Sequence, residues 1–270
     1  MELQKNKFVQ KLREKPVTYG CWVGLPDNTC AEIMAGAGFD WLLIDNEHAP
    51  YDLRTTLSHL QVMAAYDVAP IVRPVVGDTA LIKQLLDIGA QTLLVPMVDT
   101  AEQARELVRA TRYPPEGIRG LGASLARGAQ WNRTTDYLHK ANAEICLIVQ
   151  AETVRAIENL DEIIAVEGVA GVFIGPSDLS ASMGHVGNAG HPDVVSTIKE
   201  GLSKIKAAGK FGGLLNMDPS LTEAYIEAGA SFVGVGVDTS MLAQASKALA
   251  SKYCNPDAAQ NPPAAPSAGY

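Results

Sequence analysis

Short apolar runs of strand length recur eight times along this chain, each followed by a stretch with helical spacing, and no other feature limits the possible folds as sharply. The runs lie at residues 17–24, in the first half of 40–50, and at 69–74, 92–98, 145–152, 169–175, 211–216 and 231–237. Helical spacing is predicted over 28–36, 53–66, 79–88, 101–111, 154–159, 194–208, 220–227 and 239–252, with further helices at 1–13 and 136–143. Gly36 and Gly38, Gly89 and Gly229 stand where three of these helices should stop. Eight strand–helix units without a change of composition predict an α/β fold, a (β/α)8 TIM barrel forming one domain over residues 1–254. The Pro/Ala-rich segment 255–270 is expected to be a loose tail.

A parallel barrel gathers the C-terminal ends of its strands on one face, so polar residues at those ends share a pocket however far apart they lie in sequence. The stretch from Asp40 to Pro50 is the most loaded of them: an apolar run followed by Asp45, Glu47 and His48. Other predicted ends carry Arg73, Gln150, Glu152, Ser177, Asp178 and Asp238. Carboxylates crowded into one mouth repel unless protonated or bridged by a cation. Glu152 and Asp178, on consecutive units, suit a hard divalent ion such as Mg²⁺ or Mn²⁺. His48, directly after a strand and beside two carboxylates, is the candidate base, whereas His59, His139, His185 and His191 read as structural, with His185 at the pocket rim.

Missing residues narrow the chemistry as well. No lysine stands at a predicted C-terminal strand end: Lys83 is mid-helix and Lys210 precedes its strand, which disfavours a Schiff base. There is no Gly-x-Ser-x-Gly elbow and no P-loop, and Gly120-Leu121-Gly122 is a poor dinucleotide fingerprint. A net charge of −8 with scattered charges gives nucleic acid or an anionic membrane nothing to bind, so small molecules are the expected partners. Cys21, Cys30, Cys146 and Cys254 form no CxxC pair and read as reduced thiols, and with no apolar signal region the expected location is the cytoplasm. Residues 113–133 are too long for an ordinary connection, and Leu121, Leu125 and Trp131 there call for cover from a lid or a subunit contact.

Trp22, Asp-x-Glu-His-Ala-Pro at 45–50, Val-Arg-Pro at 72–74, Lys-Gln-Leu-Leu-Asp-x-Gly at 83–89, Leu-Val-Pro-Met-Val at 94–98, Arg-Tyr-Pro-Pro-x-Gly-x-Arg-Gly at 112–120 and Gly-Pro-Ser-Asp-Leu-Ser at 175–180 occur in order. In these the chain resembles the HpcH/HpaI family of class II pyruvate aldolases, over about residues 16–252. The resemblance implies cleavage of 4-hydroxy-2-oxoheptane-1,7-dioate to pyruvate and succinic semialdehyde, as in homoprotocatechuate degradation. It implies a divalent ion (Mg²⁺, Mn²⁺ or Co²⁺) on Glu152 and Asp178 and no organic cofactor. Catalytic roles fall to His48 as base, Asp87 raising its basicity and Arg73 at the transition state. Substrate contacts fall to Trp22, Asp45, Gln150, Ser177 through its backbone, Asp178 and Leu215. A homohexamer, a trimer of dimers with an exchanged C-terminal helix, is also implied, and Asp87 would then act across a subunit boundary. Asn46, Ala151 and Ser177 depart from the family pattern and bear on aldehyde preference. Rival readings are a 2-keto-3-deoxy sugar-acid aldolase and a catalytically silent barrel that binds an oxo acid.

Overall fold

The computed structural model describes residues 1–254, so the expected tail lies outside the described residues. Eight parallel strands close into a barrel in sequence order: β1 Thr18–Val23, β2 Trp41–Asp45, β3 Ala69–Arg73, β4 Thr92–Val95, β5 Cys146–Ala151, β6 Val169–Ile174, β7 Phe211–Leu215 and β8 Ala230–Val237, with β8 pairing back to β1. The predicted TIM barrel is the fold.

Helix α1, Lys7–Glu14, precedes the barrel. Helices α2 (Asn28–Ala35), α3 (Leu53–Met63), α4 (Thr79–Asp87) and α5 (Ala101–Thr111) follow the first four strands. Asp27, Asp52, Asp78 and Thr100 cap their N-termini, each side chain accepting a backbone N–H. Such a cap stabilises a helix by about 1 kcal/mol. The expected helix at 136–143 divides into α6 (Tyr137–Lys140) and a 3₁₀ turn (Ala141–Glu144). The segment predicted as one helix at 154–159 is α7 (Val154–Glu158), and a second short helix, α8 (Leu160–Ile164), continues from it. Beyond β6 come α9 (Pro176–Ser182) and α10 (Pro192–Ala207), then α11 (Pro219–Ala228) and α12 (Asp238–Cys254).

Alternation along each strand sorts the core into two layers. Leu42, Ile44, Val72, Val149 and Val172 face the helices, whereas Trp22, Trp41, Leu43, Ile71, Ile148, Phe173 and Phe232 fill the barrel. Large rings fit inside because glycines face them: a Cβ on Gly20 would stand 2.0 Å from the Trp41 ring and one on Gly213 2.2 Å from Phe232. Phe8 of α1 plugs the N-terminal end, its ring 5.4 Å from that of Phe232 and 6.2 Å from that of Trp41. The same parity carries Asp45, Arg73 and Gln150 inward at the opposite, C-terminal end.

Residues 113–133 are anchored by a small core of their own, where Tyr113, Ala126 and Ala129 pack with Tyr137 and Ala141. Arg119 is buried there, its guanidinium 4.4 Å from the Tyr113 ring centroid and bonded to Asp87 at 2.9 Å. Leu121, Leu125 and Trp131 remain at least half exposed on this chain. Among the described residues no helix is long and apolar enough to cross a membrane.

Candidate active site

Asp45 organises the mouth. In the register it pairs with Arg73, and its two oxygens accept Nε–H (2.9 Å) and Nη2–H (2.6 Å) of that guanidinium. One oxygen also accepts the backbone N–H groups of Glu47 (3.0 Å) and His48 (3.3 Å). A single buried carboxylate therefore fixes both the cation and the loop bearing the candidate base. Burial pulls the Arg73 pKa down, but the hydrogen bonds and charge of Asp45, with Glu47 and Glu152, outweigh it and hold the group above its ordinary value. The third guanidinium nitrogen, Nη1, lies 3.1 Å from Glu47 Oε2 without an aligned hydrogen bond. The His48 ring stands half exposed, its Nε2 3.7 Å from Glu47.

Glu152 lies just beyond β5 and is 2% exposed. One oxygen accepts the Met97 N–H at 2.8 Å and the other meets the Gln150 amide. Met97 takes a left-handed backbone conformation, φ 57°, to aim that N–H, which costs a non-glycine residue about 1 kcal/mol. Gly175 leaves the space: a Cβ there would lie 2.6 Å from Glu152 Oε2. Burial pushes the Glu152 carboxyl up to about 7, against the pull of the Met97 and Gln150 hydrogen bonds, and Asp178 and Glu47 add to the rise. Glu47 is also raised, by burial first, with Asp45 and Asp178 opposing the relief from Arg73 and His48. The Oε1 of Gln150 and the Oε2 of Glu47 are buried without hydrogen-bond partners.

These groups border a cavity of about 340 Å³ whose lining includes Trp22, His48, Arg73, Gln150, Phe173, Ser177, Asp178 and Leu215. Its walls are therefore apolar on the side of Trp22, Phe173 and Leu215 and charged on the other. Asp178 is not on a strand but in the first turn of α9, exposed toward the cavity, with Ser177 beside it. Of the residues singled out by sequence, His48, Arg73, Trp22, Asp45, Gln150, Glu152, Ser177, Asp178 and Leu215 converge here. Two do not. Asp87 ends α4 at the opposite face and pairs with Arg119. Asp238 is a structural latch, its carboxylate accepting the N–H groups of Gly24 (2.8 Å) and Leu25 (3.1 Å) at the β8–β1 seam.

No lysine lines the cavity, and Lys210 bonds to the Val169 carbonyl at the far end of the barrel. His59 is buried structurally, its Nδ1 3.1 Å from the Tyr51 hydroxyl. Sequence reasoning missed three contributors: the Met97 N–H, the Gly175 clearance and the contact of Glu47 with Arg73. Only Glu47 left a signal, its place on the loaded tip of β2.

Fold and mouth together define a parallel barrel whose C-terminal end gathers several carboxylates around a fixed guanidinium beside a cavity. The chain belongs to the HpcH/HpaI aldolase/citrate lyase family, whose profile matches residues 18–245, and is a lyase of the aldolase type. It is 60% identical over 248 residues to a hydroxypyruvate/pyruvate aldolase of Deinococcus radiodurans, covering 92% of this chain and 90% of that one. To a 4-hydroxy-2-oxo-heptane-1,7-dioate aldolase of Escherichia coli it is 53% identical over 249 residues, covering 92% and 95%. A crystal structure of a family protein from Burkholderia cenocepacia superposes with a TM-score of 0.87 at 38% identity, covering 92% of this chain and 99% of that one.

Proposed function

We propose that this chain is a divalent-metal-dependent class II aldolase that cleaves 4-hydroxy-2-oxo acids to a pyruvate-type oxo acid and an aldehyde, and runs the addition in reverse. The observation that carries the reading is Glu152, a buried carboxyl pushed up to about 7 by burial and by carboxylate neighbours, which lies directly behind Gln150 and Gly175 in the wall of the cavity that Asp178 lines. That donor set fits a hard divalent cation, whose positive charge offsets the burial that chiefly holds Glu152 up and the carboxylate repulsion that adds to it. Glu152 and Asp178 would hold the ion. When bound, it supplies Lewis-acid polarisation of the keto group of a 2-oxo acid.

The protein's own groups do the rest. Arg73, its Nε–H and Nη2–H edge held by Asp45, presents its remaining N–H groups to the oxygen that becomes negative as the C3–C4 bond breaks, a contribution of about 3 kcal/mol for one preorganised donor. His48 takes the proton of the 4-hydroxyl from the solvent side of the cavity. Gln150 and the N–H groups at the start of α9 orient the oxo-acid carboxylate. Trp22, Phe173 and Leu215 keep water from the carbanionic carbon.

The names of the relatives support two substrate readings. In the first, the substrate is 4-hydroxy-2-oxoheptane-1,7-dioate and the aldehyde succinic semialdehyde. In the second, the donor is hydroxypyruvate as well as pyruvate. Pyruvate and hydroxypyruvate tested against succinic semialdehyde and hydroxylated aldehydes, ranked by kcat/KM with Mg²⁺ or Mn²⁺, decide between them. The class reading fails if chelator-treated enzyme retains full activity or if borohydride traps a substrate adduct.

We also propose a homohexamer in a cytoplasmic setting. The exposed Leu121, Leu125 and Trp131 of one face and Leu242, Leu249 and Tyr253 of α12 support subunit contacts. In that assembly Asp87, a quarter exposed beside Arg119, would reach the His48 of another subunit.

A further inference from the structure

The rim loop between α9 and α10 holds a second cluster of ligating side chains that takes no part in the reaction above. His185, His191 and Asp193 each offer one ligand atom, all within 4.8 Å of one another. His185 Nε2 lies 3.8 Å and His191 Nδ1 3.7 Å from the same oxygen, Asp193 Oδ2. The two imidazole rings stack with centroids 3.6 Å apart and planes 14° from parallel. Two imidazole nitrogens and one carboxylate oxygen are thus gathered within the reach of one ion.

We propose that His185, His191 and Asp193 form a binding site for a borderline transition-metal ion, Zn²⁺ or Ni²⁺, distinct from the oxygen-rich site in the cavity. Imidazole nitrogens with one carboxylate suit such ions, whereas Mg²⁺ prefers oxygen and its own waters. Tetrahedral Zn²⁺ with ligands about 2.0–2.1 Å away holds its donor atoms about 3.3 Å apart, so an arriving ion would turn the two rings out of their parallel stack to aim both nitrogens at it. Three protein ligands leave a fourth position for water.

The loop is already built for this. The His185 N–H bonds to the Ser180 carbonyl at 2.7 Å, Asn188 N–H to the His185 carbonyl at 3.0 Å, and His191 N–H to the Asn188 carbonyl at 3.1 Å. Little ordering remains to be done when an ion arrives. Two terms oppose binding. His191 Nδ1 gives up a long 3.3 Å contact from the Asp193 N–H, and the positive end of the α10 dipole disfavours a cation. The Asp193 carboxylate offsets both.

The consequence is a staple at the mouth. The ion would join the loop just after α9 to the first turn of α10, and between its ligands lie Val186, Gly187 and Ala189, which line the cavity. Occupancy would therefore hold the rim in one position without touching substrate.

The test uses the full chain carrying Glu152→Gln, stripped with chelator, so that zinc taken up by the cavity does not enter the measurement. Calorimetric titration with Zn²⁺ should show one ion per chain, bound equally well in excess Mg²⁺. His185→Ala, His191→Ala and the milder Asp193→Asn should each weaken it by at least about 100-fold, the upper end of what loss of a mere supporting partner costs a metal site. Amide hydrogen exchange across 184–191 should slow on adding Zn²⁺. Absence of zinc binding in the Glu152→Gln chain, or affinity unchanged in the three variants, overturns the site. Zinc binding without slower exchange overturns the staple.

Discussion

The two ends of this barrel are built from the same strands yet treat polar groups in opposite ways. At the N-terminal end the polar side chains bond to backbone carbonyls and to one another, and the group left buried without a partner beside Phe8, Trp41 Nε1–H, is neutral. Asn6 caps α1 through Oδ1, while its Nδ2 donates to the Gln91 carbonyl (3.1 Å), Thr92 Oγ1 (3.0 Å) and the Glu144 carbonyl (3.2 Å). Lys210 donates to the Val169 carbonyl at 2.7 Å. At the C-terminal end Asp45, Glu47 and Glu152 crowd around a single guanidinium with Asp178 near the last two, two buried oxygens lack partners, and Met97 holds a left-handed backbone. Folding alone does not account for that end. Local instability of this kind is expected where a ligand completes the electrostatics.

Variants at the two ends should therefore fail differently. The largest effect is expected for His48→Ala, a loss of about 10²–10⁴-fold in kcat with the fold intact, since the ring is half exposed and makes no buried bond. Equal kcat in the variant would remove His48 from the reaction. Arg73→Ala should lose about 10²–10³-fold in kcat/KM. It should also destabilise the protein by about 3 kcal/mol in denaturant, because Asp45 keeps its buried charge without a partner. Arg73→Lys should recover stability more than activity, since a point charge does not reproduce the fork.

A smaller effect reports on Glu152 by itself. Its carboxyl titrates near 7 in the folded chain against 4.5 when exposed, so between these values the folded state binds more protons. Stability of the metal-free protein should fall as pH rises through that window, by up to about 3 kcal/mol. Glu152→Gln should remove this part of the slope, and saturating Mg²⁺ should flatten it in the wild type. An identical pH profile in wild type and Glu152→Gln, both metal-free, would show that burial does not hold the carboxyl up. At the opposite end Asn6→Ala should cost about 2 kcal/mol of stability and leave kcat/KM within twofold. A large kinetic loss there would erase the contrast between the two ends.

Much of the mouth was legible because strand alternation is local. Trp41, Leu43 and Asp45 share a face by parity alone, as do Ala69, Ile71 and Arg73, so a strand boundary and its last polar residue suffice to place a side chain. What was not legible depends on closure of the barrel. That Met97 would turn its N–H onto Glu152, and that Gly175 must lack a Cβ for Glu152 to fit, are contacts between neighbouring units whose register no local pattern states. Asp238 shows the converse error: a polar residue at a strand end that serves the seam. In 113–133 the apolar residues that suggested cover stay exposed, while the charged Arg119 is buried against Tyr113.

The central claim is that the mouth stabilises a pyruvate enolate through Arg73 beside an ion held by Glu152 and Asp178. Exchange of pyruvate C3 protons with deuterated water measures this half-reaction with no aldehyde present. The wild type should exchange with Mg²⁺ or Mn²⁺ and stop in chelator, Arg73→Ala should lose exchange with metal present, and His48→Ala should retain part of it. Exchange at the wild-type rate in chelator, or in Arg73→Ala, would contradict the account.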